Sequence, residues 1–220
     1  MTQPDSAMSA ASVPGPRPAD ADGPDRIPPG QVVQSSLPVT HYGPVPVCHP
    51  EAWDLRVYGA TSSGDGHRWT LPEFLALPSS EMMADFHCVT KTTVLGIRWT
   101  GVPTADVLAA VPPAPTATHV MVWADYGYGA NLPIEILAEP GTMLATGREG
   151  RGLSPERGYP VRLVVPSRYG WKSVKWVRAI EYLAQDQRGF WEERGYHNVA
   201  DPWREQRYSY QEQPGDGPDL

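Results

Sequence analysis

The chain has 220 residues, 40% of them apolar and 10% aromatic, which is enough to bury one substantial core. Its 18 basic and 25 acidic residues leave a formal charge of −7, excluding the overall positive field that draws proteins to nucleic acid or anionic lipid; a local basic pocket is still allowed. Two cysteines, Cys48 and Cys88, are too few for a small secreted disulfide scaffold and fit a reducing compartment.

Residues 1–37 are rich in Pro, Ala, Gly, Ser and Asp with almost no large apolar side chains, so they are expected to form a disordered lead-in. They lack the charged start, apolar middle and cleavage site of a secretory signal, and no twin arginine appears. A cytoplasmic protein is therefore expected. No apolar run approaches the roughly 20 residues that span a bilayer, so no membrane partner is expected. An ordered domain is expected over 38–208, followed by a second disordered end over 209–220.

Within that domain "WDLRVYG" alternates Trp53, Leu55 and Val57 on one face, the period of a half-buried strand. "TLPEFLAL" follows, with Thr70, Pro72 and Glu73 placed as in a capping box, which predicts a short helix. "PTADVLAAV" and "LPIEILAE" predict two more. "HVMVWADY" and "YPVRLVVP" are short β-branched runs that predict buried strands. "KSVKWVRAIEYLA" fits both periods, but Val174, Trp176, Ile180 and Tyr182 favour strand alternation. Pro and Gly punctuate nearly every junction. An α+β fold with a mixed sheet, short helices and long loops is expected, and no internal repeat is visible.

Several common chemistries are absent from the pattern. Six histidines (His41, His49, His67, His87, His119 and His197) show no HExxH or paired-cysteine spacing for zinc. There is no nucleotide-cradling glycine loop; "GREGRG" lacks the strand–turn–helix setting, and no GxSxG elbow occurs. The basic aromatic segment "RYGWKSVKWVR" admits three readings. It can be a strand or turn whose Lys and Arg stems snorkel outward, a nucleic-acid groove with stacked rings, or an anion pocket. For the last, Arg157, Arg162, Arg168, Lys172 and Lys175 lie close together in sequence, and guanidinium forks match phosphate oxygens two at a time.

Four blocks in order, "DFHCVTKTTVLGIRWTGVP", "DYGYGANLP", "LSPERGYPVRLVVPSRYGWKSVKWVRAIEYL" and "GFWEERGYHNVADPWREQRY", resemble the sulfite oxidase superfamily. That superfamily joins sulfite oxidases, plant-type nitrate reductases and periplasmic methionine sulfoxide reductases through a molybdopterin-binding domain, and the likeness covers roughly residues 38 to 208. It implies a sulfite oxidase-type fold, a molybdenum–molybdopterin cofactor and an oxidoreductase that transfers an oxygen atom to or from a small-molecule substrate. Reduction of S-oxides or N-oxides is the alternative, and a carrier without turnover is the reading from a different class.

The resemblance carries over residue by residue. Cys88 matches the metal-ligating cysteine, and a soft thiolate suits molybdenum. Arg162 and the Gly170–Trp171–Lys172 turn match pterin-binding segments, where an arginine and a lysine face the terminal phosphate and pterin ring. His41 resembles the histidine of an early cofactor-touching segment, although the asparagine before it is missing. Arg157 stands where the family has histidine or asparagine and is expected to grip the phosphate. Tyr128 resembles a tyrosine beside the substrate oxygen, where its hydroxyl can donate a hydrogen bond. Cys48 matches no ligand position and is expected to be a small buried filler. After the ligating cysteine the family has an arginine that helps bind the anion; here the run is "VTKTT", and Lys91 is the replacement, a point donor in place of a planar fork. No haem or immunoglobulin-like domain is expected after "DPWREQRY", so electrons are expected to use a separate donor or acceptor. The sequence does not determine the oligomeric state.

Overall fold

A computed structural model describes residues 26–36 and 38–218. Two mixed sheets hold most of the regular structure, linked by helices of 5, 7 and 4 residues, which is the expected α+β architecture. The first sheet runs β1 (Val32–Val33), β5 (Thr92–Pro103), β8 (Met143–Arg148) and β10 (Arg162–Val164), with β4 (Ser80–Cys88) on β5 and β9 (Arg151–Gly152) on β8. The second runs β3 (His67–Thr70), β2 (Asp54–Gly59), β11 (Val177–Leu183), β6 (His119–Ala124) and β7 (Gly129–Pro133). Pairing is parallel between β1 and β5 and between β2 and β11, and antiparallel elsewhere.

Local pattern explains much of this. Trp53, Leu55 and Val57 are buried on one side of β2, as their alternation predicts. Helix α1 (Leu71–Leu75) starts at Thr70 through the expected box, the Glu73 carboxylate accepting from the Thr70 N–H at 2.8 Å and from its hydroxyl at 2.7 Å. Helices α2 (Thr104–Ala110) and α3 (Ile134–Leu137) fall where predicted. β11 is shorter than the alternation from Val174 suggests. Trp176 sits at φ +56° and donates its indole N–H to the Pro155 carbonyl at 2.7 Å, so the strand begins at Val177.

The chain has two cores. The larger one draws Leu55, Val120 and Leu132 from the second sheet and Val102, Leu144 and Leu163 from the first. The smaller gathers Ala84, Ile97, Trp99, Met143 and Val164. β10 therefore alternates between them: Leu163 enters the larger core, while Arg162 and Val164 point to the smaller. That alternation brings a buried arginine onto the face of Trp99.

Both chain ends depart from expectation. Residues 26–36 are held against the sheet, with Arg26 bonded to Asp85 through two nitrogens and Val32 and Val33 in register with Thr92 and Thr93. Residues 209–218 are also anchored. Arg188 grips Glu212 at 2.6 and 2.9 Å, Glu212 accepts from the Asn198 N–H at 2.7 Å, and Asn198 donates to the Asp216 carbonyl at 2.9 Å. Polar ends gain order here through ion pairs and backbone bonds, which a count of apolar residues does not register. The rest of the two expected disordered segments, residues 1–25, 37 and 219–220, lies outside the described residues. No helix among the described residues is long and apolar enough to cross a membrane.

Candidate active site

Cys88 is the last residue of β4, half-buried and unpaired, at the start of the turn into β5. Its Sγ accepts from the Thr90 hydroxyl at 3.1 Å. Two residues before it, Phe86 packs so closely on the turn at Gly170–Lys172 that a Cβ on Gly170 would lie 2.3 Å from the ring. Only glycine permits that approach. The end of β4 and the Gly170–Trp171–Lys172 turn are thereby brought together, as the resemblance implies.

Beside Phe86 lies a group of cations. The Arg162 guanidinium is 5.7 Å from the Phe86 ring centre and 5.2 Å from that of Trp99, and Arg148 lies 5.8 Å over Trp99 from the opposite strand. Arg162 donates to the Arg157 carbonyl at 3.2 Å and the Ser173 carbonyl at 3.1 Å, which leaves one N–H on each terminal nitrogen unspent. Burial, with Arg148 and Arg157 close by, pulls its pKa down to about 9. Lys175 donates to the Thr40 and Glu156 carbonyls at 2.7 and 3.0 Å; burial and the charges of Arg162 and Arg157 bring it down to about 8. Gly158 at φ +108° passes between the two, and a Cβ there would meet the Cβ atoms of Arg162 and Lys175 at 3.0 and 3.1 Å. Arg162 and Lys175, both bonded to backbone carbonyls, thus converge with Arg148 and Arg157. They repel one another until an anion arrives.

The other two basic residues of the expected group turn elsewhere. Lys172 is fully buried, and its three donors are taken by the Asn131 carbonyl at 2.9 Å, Asn131 Oδ1 at 2.8 Å and Glu192 Oε1 at 2.7 Å. It does not face the phosphate-type pocket, contrary to expectation, because a carboxylate from the C-terminal segment claims it first. Trp171 Nε1 reaches the same Glu192 oxygen at 2.8 Å. Arg168 is buried beside Asp201 and Glu139 and donates to the Ser167 carbonyl at 2.8 Å.

Aromatic side chains form the remaining wall. Tyr128, just before β7, donates its hydroxyl to the Trp171 carbonyl at 2.8 Å, and burial with Glu192 nearby raises its pKa well above the ordinary phenol range. Its one proton is therefore committed to the protein and not directed at a substrate oxygen, a departure from the expected donor role. Phe190 lies 5.4 Å from Tyr128, Trp191 packs on Tyr196, and Tyr196 meets Trp171 edge-on at 5.1 Å. Tyr196 feels the Cys88 thiol as well as Tyr208, and burial is the main cause of its raised pKa. The loop before β2 closes the rim: Tyr42 packs on Phe190 at 5.0 Å, and His41 touches the Trp176 ring at 6.0 Å while bonding the Gly43 carbonyl. Lys91 stands exposed at φ +65° in the Cys88 turn. Cys48 packs against the larger core and is free, and burial raises its thiol pKa.

Arg148, Phe86, Trp99 and Glu192 were not singled out from sequence. For Arg148 the signal lay in "GREGRG", whose turn ends β8 beside β10. A molybdopterin fits these residues. Its phosphate matches the converging guanidinium and ammonium groups around Arg162, and its metal matches a partly accessible thiol.

Residues 42–191 match the family model for the oxidoreductase molybdopterin binding domain, and the chain belongs to that family. It is an oxidoreductase of the sulfite oxidase superfamily whose cofactor is molybdenum–molybdopterin. The chain is 37% identical over 197 residues to the uncharacterized oxidoreductase YuiH of Bacillus subtilis, covering 88% of this chain and 96% of that protein. It is 27% identical over 155 residues to the protein-methionine-sulfoxide reductase catalytic subunit MsrP of Campylobacter jejuni, covering 60% of this chain but 52% of the relative. The sulfane dehydrogenase SoxCD of Paracoccus pantotrophus shares the fold at a TM-score of 0.61 and 20% identity, over 78% of this chain and 51% of that one.

Proposed function

We propose that the chain transfers an oxygen atom to or from a small substrate at a molybdenum held by Cys88, in the manner of a sulfite oxidase. One observation carries this: a half-buried thiol and a pocket of unmatched cations meet across the Phe86–Gly170 contact. When bound, the cofactor would supply a metal that takes up two electrons as it gives an oxygen atom to the substrate, or releases two electrons as it accepts one. Cys88 contributes a thiolate ligand. Arg148, Arg157, Arg162 and Lys175 hold the phosphate, with His41 on the rim. Trp171, Tyr196 and Phe190 exclude water from the substrate side, and Tyr128, whose hydroxyl donates to the Trp171 carbonyl and is met by the Trp191 side chain, holds that wall in place. Electrons pass to or from a separate protein or small carrier. A cytoplasmic setting belongs to the same proposal, supported by two unpaired cysteines and tested by fractionating the untagged protein.

Cys88→Ser tests the core of it. A hydroxyl that stays protonated near neutral pH replaces a soft ligand while the cation pocket is untouched, so pterin content should hold and turnover should vanish. Wild-type turnover in this variant would remove the assignment.

The aromatic wall favours a second reading, a neutral S-oxide or thioether, because rings attract sulfur but offer no charge to an oxyanion. Lys91→Met separates the two. With sulfite as substrate KM should rise more than kcat falls, whereas an unchanged sulfite KM would point to the neutral substrate.

A further inference from the structure

The turn carrying Cys88 is held mainly from outside itself. Its own closing bond is a single one, from the Lys91 N–H to the Cys88 carbonyl at 3.1 Å, with Lys91 in the left-handed region. Three of its carbonyls, those of Cys88, Val89 and Lys91, are bound by segments near the two ends of the chain. Gln31 Nε2 donates to the Cys88 carbonyl at 3.1 Å, and the Val32 N–H donates to the Lys91 carbonyl at 2.9 Å. From the opposite end, Arg207 Nη1 donates to the Val89 carbonyl at 2.6 Å across 118 residues of sequence.

Both donors are themselves fixed. The Gln31 side-chain oxygen accepts from the Thr93 hydroxyl at 3.3 Å, and that hydroxyl meets His87 Nδ1 at 2.9 Å. The Arg207 guanidinium lies 4.8 Å over the Tyr169 ring and is almost wholly buried, with Glu205 at 3.6 Å and its backbone N–H held by Gln211 at 2.9 Å. Two rigid donors at successive carbonyls fix the peptide planes on the C-terminal side of Cys88. The direction of its Cα–Cβ bond follows from those planes, and the Thr90 hydroxyl on Sγ then selects the rotamer.

We propose that Gln31 and Arg207 are positioning residues that aim the Cys88 sulfur at the metal, so that the chain ends set the geometry of the ligand without touching it. Outer groups that orient a metal ligand commonly matter nearly as much as the ligand itself. The proposal rests on Cys88 being the molybdenum ligand.

The test uses holoenzyme carrying Gln31→Ala, Arg207→Met or Arg207→Lys, with pterin and molybdenum content measured beside the Mo(V) electron paramagnetic resonance spectrum after partial reduction. Gln31→Ala and Arg207→Met should each keep pterin at the wild-type level while the spectrum splits into additional species, because the sulfur now samples several orientations. Loss of molybdenum with pterin retained supports the proposal equally. Arg207→Lys keeps one donor for the Val89 carbonyl and should return the wild-type spectrum. A purely structural part would lower the melting temperature and leave the spectrum alone. A wild-type spectrum in either truncation removes that residue from the proposal, and loss of pterin together with the metal overturns it. Gln31→Ala deletes one amide from the half-buried strap, so it remains informative where Arg207→Met fails to fold. The underlying assignment fails differently, through a wild-type Mo(V) signal in Cys88→Ser.

Discussion

Lys172 and Arg162 are both buried cations on the same stretch of chain, one fully matched and the other left open. Lys172 has a carboxylate and two amide oxygens around its ammonium group. Arg162 has two backbone carbonyls, two aromatic faces and three further cations. The first arrangement is complete and serves the fold by tying the Trp171 turn to the C-terminal segment. The second is incomplete in charge and becomes favourable only with an anion present, which marks it as binding machinery.

The largest effect expected from this contrast is on stability. Lys172→Met leaves the Glu192 carboxylate buried and unpaired, which should cost about 3–5 kcal/mol and lower the melting temperature by roughly 10 °C. Adding Glu192→Gln should recover part of the loss. Calorimetry on the ligand-free protein checks both, and an unchanged melting point in Lys172→Met would break the contrast. Arg162→Met should act mainly on binding instead. A methionine still covers Phe86 and Trp99 and the repulsion is relieved, but the Arg157 and Ser173 carbonyls lose their donor, so stability should fall less than in Lys172→Met; pterin retention should fall about ten- to hundredfold, the worth of a charge-assisted bond.

The smallest effect is a pH dependence that sharpens the same point. Burial and the neighbouring arginines lower the folded-state pKa of Lys175 to about 8 from the ordinary 10.5, so between those values the unfolded chain binds more protons than the folded one. Stability of the ligand-free protein should therefore rise with pH across that window. Anion binding should move the opposite way as the ammonium loses its proton. Sulfate, whose own charge is constant there, should bind several-fold more weakly at pH 9.5 than at pH 7.5, and calorimetric titration in Lys175→Met should show that decline reduced, with Arg162 carrying the remainder.

Features set by neighbours in sequence were legible before the structure. The Thr70–Glu73 box and the alternation of Trp53, Leu55 and Val57 are local, and the four blocks drew out Cys88, Arg162 and the Gly170–Lys172 turn, which the fold gathers around Phe86. Long-range choices were hidden. Nothing near Lys172 in sequence says that Glu192 will reach it before a phosphate does. Arg148 joins the cations through its pairing with Trp99, whose ring also carries Arg162, and the strap at Gln31 and the anchor at Arg207 work through backbone carbonyls 57 and 118 residues away in sequence. Tyr128 was expected to donate to a substrate oxygen, and the direction of its proton depended instead on the Trp171 carbonyl, 43 residues away in sequence.

The contact of Phe86 with Gly170 also sets a mechanical tolerance. With a Cβ excluded at 2.3 Å, the ring works as a spacer between the strand that ends in the sulfur and the turn that carries Trp171, while its face supports Arg162. The Cys88 sulfur, the Trp171 turn and the Arg162 guanidinium are thus gauged from one side chain. A bulkier residue at position 170 would offset all three together, so errors there compound instead of staying local.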